Sequence, residues 1–372
     1  MNTEHKDINK IIPFGEQIKG LLNQKFISPA DLNRILRERG IFTFNGNKDY
    51  TVPLSQTLLF SPTEFDKIRY AFNTKEDNPK TFSRDINFVA DQNLFNPEIM
   101  TVDVAEFIKR ELPTCSLLQP VTFKPVNGNK NHLKAEFSVR RTDINKLWYE
   151  QTNIFTGSVE FINDNGKGRA IVNHTAKEIK ELGTFITSTQ VKKFKEKNII
   201  LPTEKLKGIL FKDFQNADRF VFFYRLTNHL ESEYFTCENI KDVSIKPEDS
   251  VLPEEIRWME KMQKIILTGE ALDTKYFMND KKYHKDLILW SIDAIYTFNF
   301  KGKKGQMTVS MGFPDYPSKS GKSEFEINIS SLSPEKALDT KSRKSLKDNL
   351  LSEMDRLKSV VYNNYLEYKN KQ

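Results

Sequence analysis

The first 72 residues contain short amphipathic segments with clear start and stop signals. The segment SPADLNRILRERG shows them best: Ser28 stands where a helix N-cap belongs, and Pro29 occupies the first helical position. Gly40 can take the left-handed conformation that ends a helix. The pattern predicts a helix whose buried stripe consists of Leu32, Ile35 and Leu36. Similar start signals stand at Ser61 and at Ser333, and the latter predicts the start of the C-terminal helix.

A polar stretch follows at residues 73–84 and predicts a linker or a surface crossing. Beyond it the apolar positions alternate, which predicts strands. Residues 163–168, NDNGKG, predict a hairpin turn, and residues 176–185 predict a short helix. The predicted strands of this region are LKAEFSVRR, IFTGSVEFIND, GRAIVNH, DRFVFFYRLT and VSIKP.

The last third begins near Pro253 with a predicted helix over residues 253–267. Three predicted strands follow, LILWSIDAIYTFNF, MTVSMGF and SEFEINIS, of which the first alternates most regularly. A long helix is predicted after them, with a stripe formed by Leu346, Leu350, Met354, Leu357, Val361 and Tyr365. This helix could cover the final sheet or present a surface to a partner.

These elements predict an α+β fold with three parts. Residues 1–84 would form a small helical module with its linker. Residues 85–250 would form a mixed domain with a largely antiparallel sheet. Residues 251–372 would form a β-meander with flanking helices, ending in the long helix, and could contact a partner.

The composition narrows the function classes. The chain has 372 residues, a formal net charge of +7 and a pI near 9.0, which favours an anionic partner, with nucleic acid ahead of a membrane surface. A Lys-rich solvated surface is the simpler alternative. No apolar run is long enough to cross a membrane, and the first ten residues are polar, so a cytoplasmic protein is expected.

Metal and cofactor chemistry finds little support in the sequence. Cys115 and Cys237 are isolated, and none of the five His residues has a partner at ligand spacing, so we expect no metal and no cofactor. The motif SGKS at Ser320 lacks the glycine that a phosphate-binding loop requires at Tyr316.

One weak catalytic alternative remains. Nucleases of the PD-(D/E)XK type hold Mg²⁺ with two carboxylates and add a Lys two residues after the second. Asp315 and Glu326 could supply the carboxylates, but Asn328 stands at the Lys position. The rival interpretation of this chain is therefore a divergent metal-dependent nuclease.

Basic residues cluster in two places that could follow a nucleic-acid backbone. The first is the 28–60 segment, with arginines on the predicted helix and polar residues after it. The second is the stretch VKKFKEK, in which Phe194 could stack on bases. The predicted contacts are Arg34, Arg37, Arg39, Asn45, Asn47 and Lys48 in the first cluster, and Lys192, Lys193, Lys195 and Lys197 in the second.

The 28–60 segment resembles a SAP-type helix–loop–helix module. The resemblance rests on Leu32 and Leu36, the run Arg39-Gly40-Ile41, the loop Gly46-Asn47-Lys48, and Leu54, Leu58 and Leu59. Asn47 between the loop glycine and lysine, and Pro53 near the second helix, depart from the family pattern. The resemblance implies binding to duplex DNA.

A larger stretch, about residues 12–85, resembles the N-terminal module of the B subunit of two-gene GAPS anti-phage defence systems of bacteria. The supporting segments are PFGEQIKGLL, LNRILRERGIF, VPLSQTLLFSPTEFDKI and KEDNPK. The resemblance implies a non-catalytic DNA-binding sensor or scaffold in a hetero-oligomer, with a partner subunit that carries nuclease activity. Duplex DNA is the expected ligand, with DNA ends as one form of it, and a protein–protein adaptor without nucleic acid is the third alternative.

Overall fold

The computed structural model describes residues 12–370 apart from 25–26, 77, 91, 143–150, 229, 249–251, 261, 263 and 270–279. Helices open the chain, flank a large sheet in its middle and close it. The α-helices are α1 (Glu16–Leu22), α2 (Pro29–Glu38), α3 (Lys48–Gln56), α4 (Pro62–Glu76), α5 (Ala105–Glu111), α6 (Lys177–Glu196), α7 (Asn216–Asn228), α8 (Tyr316–Lys319) and α9 (Thr340–Lys369).

Strands from both halves of the chain build one predominantly antiparallel sheet. Its bounds are β1 (Lys80–Asn87), β3 (Cys115–Leu117), β5 (Lys124–Val126), β6 (Asn129–Thr142), β7 (Thr152–Asp164), β8 (Lys167–His174), β9 (Lys207–Gly208), β10 (Phe235–Pro247), β11 (Ile265–Thr268), β12 (Leu287–Phe300), β13 (Lys303–Gly312) and β14 (Glu326–Pro334). A separate ribbon pairs β2 (Thr101–Val102) with β4 (Val121–Thr122).

The order of the strands divides this sheet into two halves. The path runs β11-β10-β12-β13-β14-β1-β8-β7-β6-β3, with β5 on β6 and β9 on β1. The halves meet where β1 pairs with β14, over the two pairs Lys80↔Asn328 and Thr81↔Ile327. We call this junction the seam. Strand β10 lies before residue 250, but it pairs with β11 and β12, which lie after that residue. The domain boundaries at residues 84 and 250 stay predictions.

The described residues form three hydrophobic clusters in the interior. One holds the N-terminal helices together, with Ile18, Leu32 and Phe72 among its members. The second lies between α6 and the β1–β8 half of the sheet. The third lies under α7 and α9, against the β10–β14 half. The seam between the last two clusters is lined by polar and charged residues, as described below.

The α+β class predicted from the sequence is confirmed, and so are the elements with strong local signals. Ser28 and Asp31 form a capping box at the start of α2, and Ser61 and Glu64 form the same contacts before α4. Gly40 ends α2 with φ +74°. The stripe of the C-terminal helix is buried against the sheet, and each of its six predicted members lies in the core.

Four predictions of secondary structure are wrong. Residues 80–84 belong to β1 in the middle of the sheet, where Phe82 is fully buried. The segment DRFVFFYRLT belongs to helix α7 and is not a strand. Its aromatic side chains pack on several sides, so the sequence shows no clear helical period. Residues 253–267 form a 3₁₀ turn and β11 instead of one helix. Ser333 and Pro334 are the last residues of β14, and α9 starts later, capped by Asp339.

The predicted helix at residues 176–185 starts at Lys177 and is twice as long as predicted, since α6 has 20 residues. Within the described ranges, no helix combines the length and the apolar composition that a membrane span needs.

Candidate nucleic-acid interface

The N-terminal module holds the loop of residues 41–47 between α2 and α3 in a fixed shape. Asn33 on α2 donates from Nδ2 to the carbonyl oxygen of Gly46 at 3.1 Å, and its Oδ1 accepts from the Thr43 hydroxyl at 3.1 Å. A Cβ on Gly46 would stand 2.5 Å from Asn33 Nδ2, so the glycine permits this close approach. The loop is thereby braced on the same helix that carries the predicted arginines.

An open groove of about 810 Å³ lies along α2 and this loop. Arg34 and Arg37 line it together with Asn47, and both arginine side chains are exposed. Arg34 lies 3.5 Å from Asp31, a loose pair on the surface. No carboxylate oxygen of the described residues lies within 4.0 Å of the Arg37 guanidinium. The groove also contains Glu38, whose charge is paired with Lys67 at 2.6 Å.

The structure assigns Arg39 and Lys48 to contacts inside the module. Arg39 donates to both oxygens of Glu64 at 2.6 and 2.5 Å, and to the carbonyl oxygen of Leu59 at 2.6 Å. The hydrogen bond from Arg39 lowers the pKa of Glu64 to about 2. Lys48 donates to the carbonyl oxygen of Gln24 at 2.7 Å, and burial lowers its pKa. Both cations therefore brace the helices, and the groove depends on Arg34 and Arg37.

The second basic cluster, at the end of α6, is largely engaged within the chain. Lys193 donates to the carbonyl oxygen of Thr101 at 2.6 Å, Lys195 to two carbonyl oxygens of residues 202 and 204, and Lys197 to Glu98 at 2.7 Å. Lys192 is exposed. Phe194 is fully buried in the core, so it cannot stack on a base. This cluster is a weaker candidate for an interface than the groove.

Asp315 and Glu326 do approach each other, at the seam, and a lysine lies between them. Lys180 from α6 donates to Asp315 Oδ2 at 2.6 Å and also contacts Glu326 Oε1. His174 from β8 lies 3.6 Å from the other oxygen of Glu326. We call these four residues the seam cluster. It joins the two halves of the sheet. His174 on β8 and Lys180 on α6, which packs on that half, contact Glu326 on β14, and Lys180 also contacts Asp315, which follows β13.

The electrostatics of the seam cluster are those of a matched ion-pair network. Burial alone would raise the pKa of Asp315, but hydrogen bonds from Lys180 and Lys319 lower it to about 2. Burial likewise opposes the charged forms of Glu326 and Lys180. Contacts with His174 and Lys180 nevertheless lower the pKa of Glu326, and contacts with Glu326 and Asp315 raise the pKa of Lys180. The ammonium group occupies the space between the carboxylates, and its charge repels a metal ion. Among the described residues, no three His, Cys, Asp or Glu side chains are placed to hold one.

Further polar contacts cross the seam. Arg84 on β1 binds Glu324 through two bonds of 2.8 Å. Lys358 on α9 is almost completely buried, donates to the Ser83 hydroxyl at 2.9 Å and contacts Asp355. These contacts fasten the C-terminal helix and the second half of the sheet to β1.

Sequence reasoning missed the residues that give both regions their character. Asn33, which braces the loop, and the exposed Phe42 and Phe44 were not singled out, although the alternation in IFTFN is a usable signal for a loop with one outward side. Lys180 stands 135 residues from Asp315. No local pattern connects the two, so only the folded sheet brings them together.

The N-terminal module defined by this geometry is similar to a known protein family. The family model of the GAPS4b protein N-terminal domain matches residues 16–78, which span the four helices α1 to α4. The resemblance to a GAPS-type B subunit predicted from the sequence is therefore confirmed for this part of the chain. The match does not confirm the SAP-type DNA-binding element.

No curated protein matches the chain. Two solved structures align at very low similarity. DynU16, a protein of the dynemicin biosynthetic locus, is 9% identical with a TM-score of 0.15, over 77% of this chain and 98% of its own. The Bacillus subtilis inhibitor of motility MotI/DgrA is 10% identical with a TM-score of 0.09, over 72% and 93%. Neither alignment bears on the fold or function of this chain.

Proposed function

We propose that this chain is a DNA-binding sensor or scaffold subunit of a GAPS-type bacterial anti-phage defence system. The match of residues 16–78 to the GAPS4b N-terminal domain supports the system. The observation that carries the DNA-binding part is the groove in which two exposed arginines, Arg34 and Arg37, lie beside the amide of Asn47. Arginine and amide groups on a braced helix and loop are suited to contacts with backbone phosphates.

The proposed mechanism is electrostatic capture. The groove binds the phosphates of duplex DNA, and the chain presents that DNA to a partner subunit that carries the nuclease chemistry. Contacts of this kind position the protein and contain little sequence information. The chain would then act in a hetero-oligomer in the cytoplasm, where phage DNA enters.

The salt dependence of binding tests this proposal. Each neutralised phosphate contributes a slope of about −0.9 to the dependence of log K on log salt. We expect the purified full-length chain to bind linear duplex DNA, and Arg34→Ala/Arg37→Ala to reduce the magnitude of the slope by about 2. A matched control, Lys19→Ala/Lys109→Ala, removes two exposed lysines that do not line the groove and should leave the slope unchanged.

Two results would contradict the proposal. Absence of binding at low salt would remove the DNA ligand and leave a protein–protein adaptor. An equal slope for the arginine variant and the wild type would exclude the groove as the interface. Comparing linear with circular duplex DNA in the same assay shows whether ends are preferred.

The nuclease alternative has its own test. The chain is incubated with Mg²⁺ and DNA, with and without Asp315→Ala. Because Lys180 and Lys319 already pair with the two carboxylates, we expect neither preparation to cleave DNA. Cleavage by the wild type that disappears in the variant would favour the nuclease.

A further inference from the structure

Two aromatic side chains of the braced loop point into solvent. Phe42 is 79% exposed, and Phe44 is fully exposed. The residues on either side of Phe42, Ile41 and Thr43, are half-buried, so over residues 41–44 the chain alternates half-buried residues with outward aromatic ones. Single exposed apolar residues are common on protein surfaces. Two alternating phenylalanines on a loop between two helices, one of which carries the exposed Arg34 and Arg37, form a more specific arrangement.

The loop holds these rings in place before any ligand arrives. Asn33 ties both Thr43 and Gly46 to α2, and these two residues flank Phe44 in the sequence. A ring displayed by a braced loop loses less conformational entropy on binding than one on a mobile loop. The same helix α2 carries Arg34 and Arg37. The backbone segments that carry the cations and the rings are therefore tied to one another.

The chemistry of this combination selects a class of ligand. The arginines favour an anionic partner, and the rings favour a flat apolar surface. Nucleic acid offers both, but in continuous duplex DNA the faces of the bases are covered by their neighbours in the stack. An aromatic side chain on a loop can reach a base face only where bases are unpaired, as in single strands. Charge complementarity thus argues for nucleic acid, and the exposed rings argue for DNA that contains unpaired bases.

We propose that Phe44, supported by Phe42, stacks on unpaired bases, while Arg34 and Arg37 hold the adjoining phosphates. This inference rests on the proposed function and names its substrate class: DNA with unpaired bases, in preference to continuous duplex. The arginines should account for the salt dependence of the affinity, and the rings should account for the preference for unpaired bases. The two contributions can be separated by mutation.

The experiment compares two covalently closed DNA circles, so that free ends play no part. One is a relaxed duplex minicircle, and the other is the same minicircle with a short run of mismatched, unpaired bases containing 2-aminopurine. The full-length wild type is compared with Phe44→Ala, Phe42→Ala/Phe44→Ala and Phe44→Trp. Leu59→Ala serves as the matched control, because Leu59 is an equally exposed apolar residue of the same module, at 72%.

We expect the wild type to bind the mismatched circle more tightly and to quench 2-aminopurine fluorescence. Phe44→Ala should reduce affinity for that circle by about 5- to 150-fold, the effect of losing one stacked base, and should abolish quenching. It should leave affinity for the continuous duplex unchanged. Phe44→Trp should retain the preference, and Leu59→Ala should behave as the wild type.

The outcomes distinguish this inference from the proposed function. If the wild type binds neither circle, both fail. If it binds both circles through the arginines, and the double phenylalanine variant binds each as the wild type does, the stacking inference alone is overturned. The exposed rings would then be contacts for a protein partner.

Discussion

Charged side chains have different surroundings in the groove of the N-terminal module and at the seam between the halves of the sheet. At the seam, Lys180 lies between Asp315 and Glu326, and Glu326 is only 5% exposed. In the groove, Arg34 and Arg37 are exposed, and the nearest acid of Arg34 is 3.5 Å away. The same kinds of residue are matched and buried in one region, and accessible in the other.

This difference separates structural charges from charges available to a ligand. A matched buried pair has already exchanged water for its partner, and removing one member leaves an uncompensated charge. An exposed arginine keeps its hydration and can exchange it for a phosphate at little cost to stability. Mutations at the seam should therefore change stability, and mutations in the groove should change binding.

The largest effect is expected at Lys180. Lys180→Ala leaves the buried Glu326 and its neighbour Asp315 without their shared cation, and should lower the free energy of unfolding by about 3–5 kcal/mol. Urea denaturation monitored by circular dichroism measures it. Lys177→Ala is the control on the same helix, since that side chain is 80% exposed, and it should change stability by less than about 0.5 kcal/mol. Equal stability of the two variants would contradict the structural role of the seam cluster.

A smaller effect is expected at Arg39, which caps the C-terminal end of α2 and forms an ion pair with Glu64. Arg39→Ala removes a two-bond contact with Glu64 that is only partly exposed, and should lower the free energy of unfolding by about 1–2 kcal/mol. The slope of DNA binding against salt should remain that of the wild type. A reduced slope would show that Arg39 contacts phosphate and that its pair with Glu64 opens on binding.

Low pH should weaken the Arg39–Glu64 pair by protonating Glu64. The pKa of Glu64 is about 2 in the folded chain, below its ordinary value of 4.5. Because this pKa is lower in the folded chain than in the unfolded chain, ionised Glu64 stabilises the fold above about pH 4.5. This stabilisation is lost as the pH falls from about 4.5 towards 2. Glu64→Gln should remove this part of the pH dependence, measured by urea denaturation at several pH values. Its effect should not exceed that of Arg39→Ala, and an unchanged pH profile would contradict the assignment.

The smallest effect on stability is expected for Arg37. Arg37→Ala should change the free energy of unfolding by less than about 0.5 kcal/mol, because the guanidinium has no carboxylate within reach among the described residues. Its DNA affinity should nevertheless fall, with a slope about 1 smaller in magnitude. A stability loss comparable to that of Arg39→Ala would make Arg37 a structural residue and would weaken the comparison.

The sequence by itself determined the elements whose signals are local. A capping box and a terminal glycine define α2, strict alternation defines β12, and a stripe at spacings of three and four defines α9. These signals act between neighbours in the chain, so they can be detected without the fold. The arginines of the groove could be predicted for the same reason, since they lie off the buried stripe of one short helix.

The tertiary structure decided the rest. Segment 218–227 has the composition of a strand, but burial against the sheet and α9 makes it helical. Residues 80–84 read as a polar linker, yet pairing on both sides places them at the centre of the sheet. Glu64 engages Arg39 and so makes it unavailable to a ligand. The cation that pairs with Asp315 and Glu326 comes from α6, a helix distant in sequence. Burial and pairing are relations between residues far apart in sequence, and they exist only once the chain has folded.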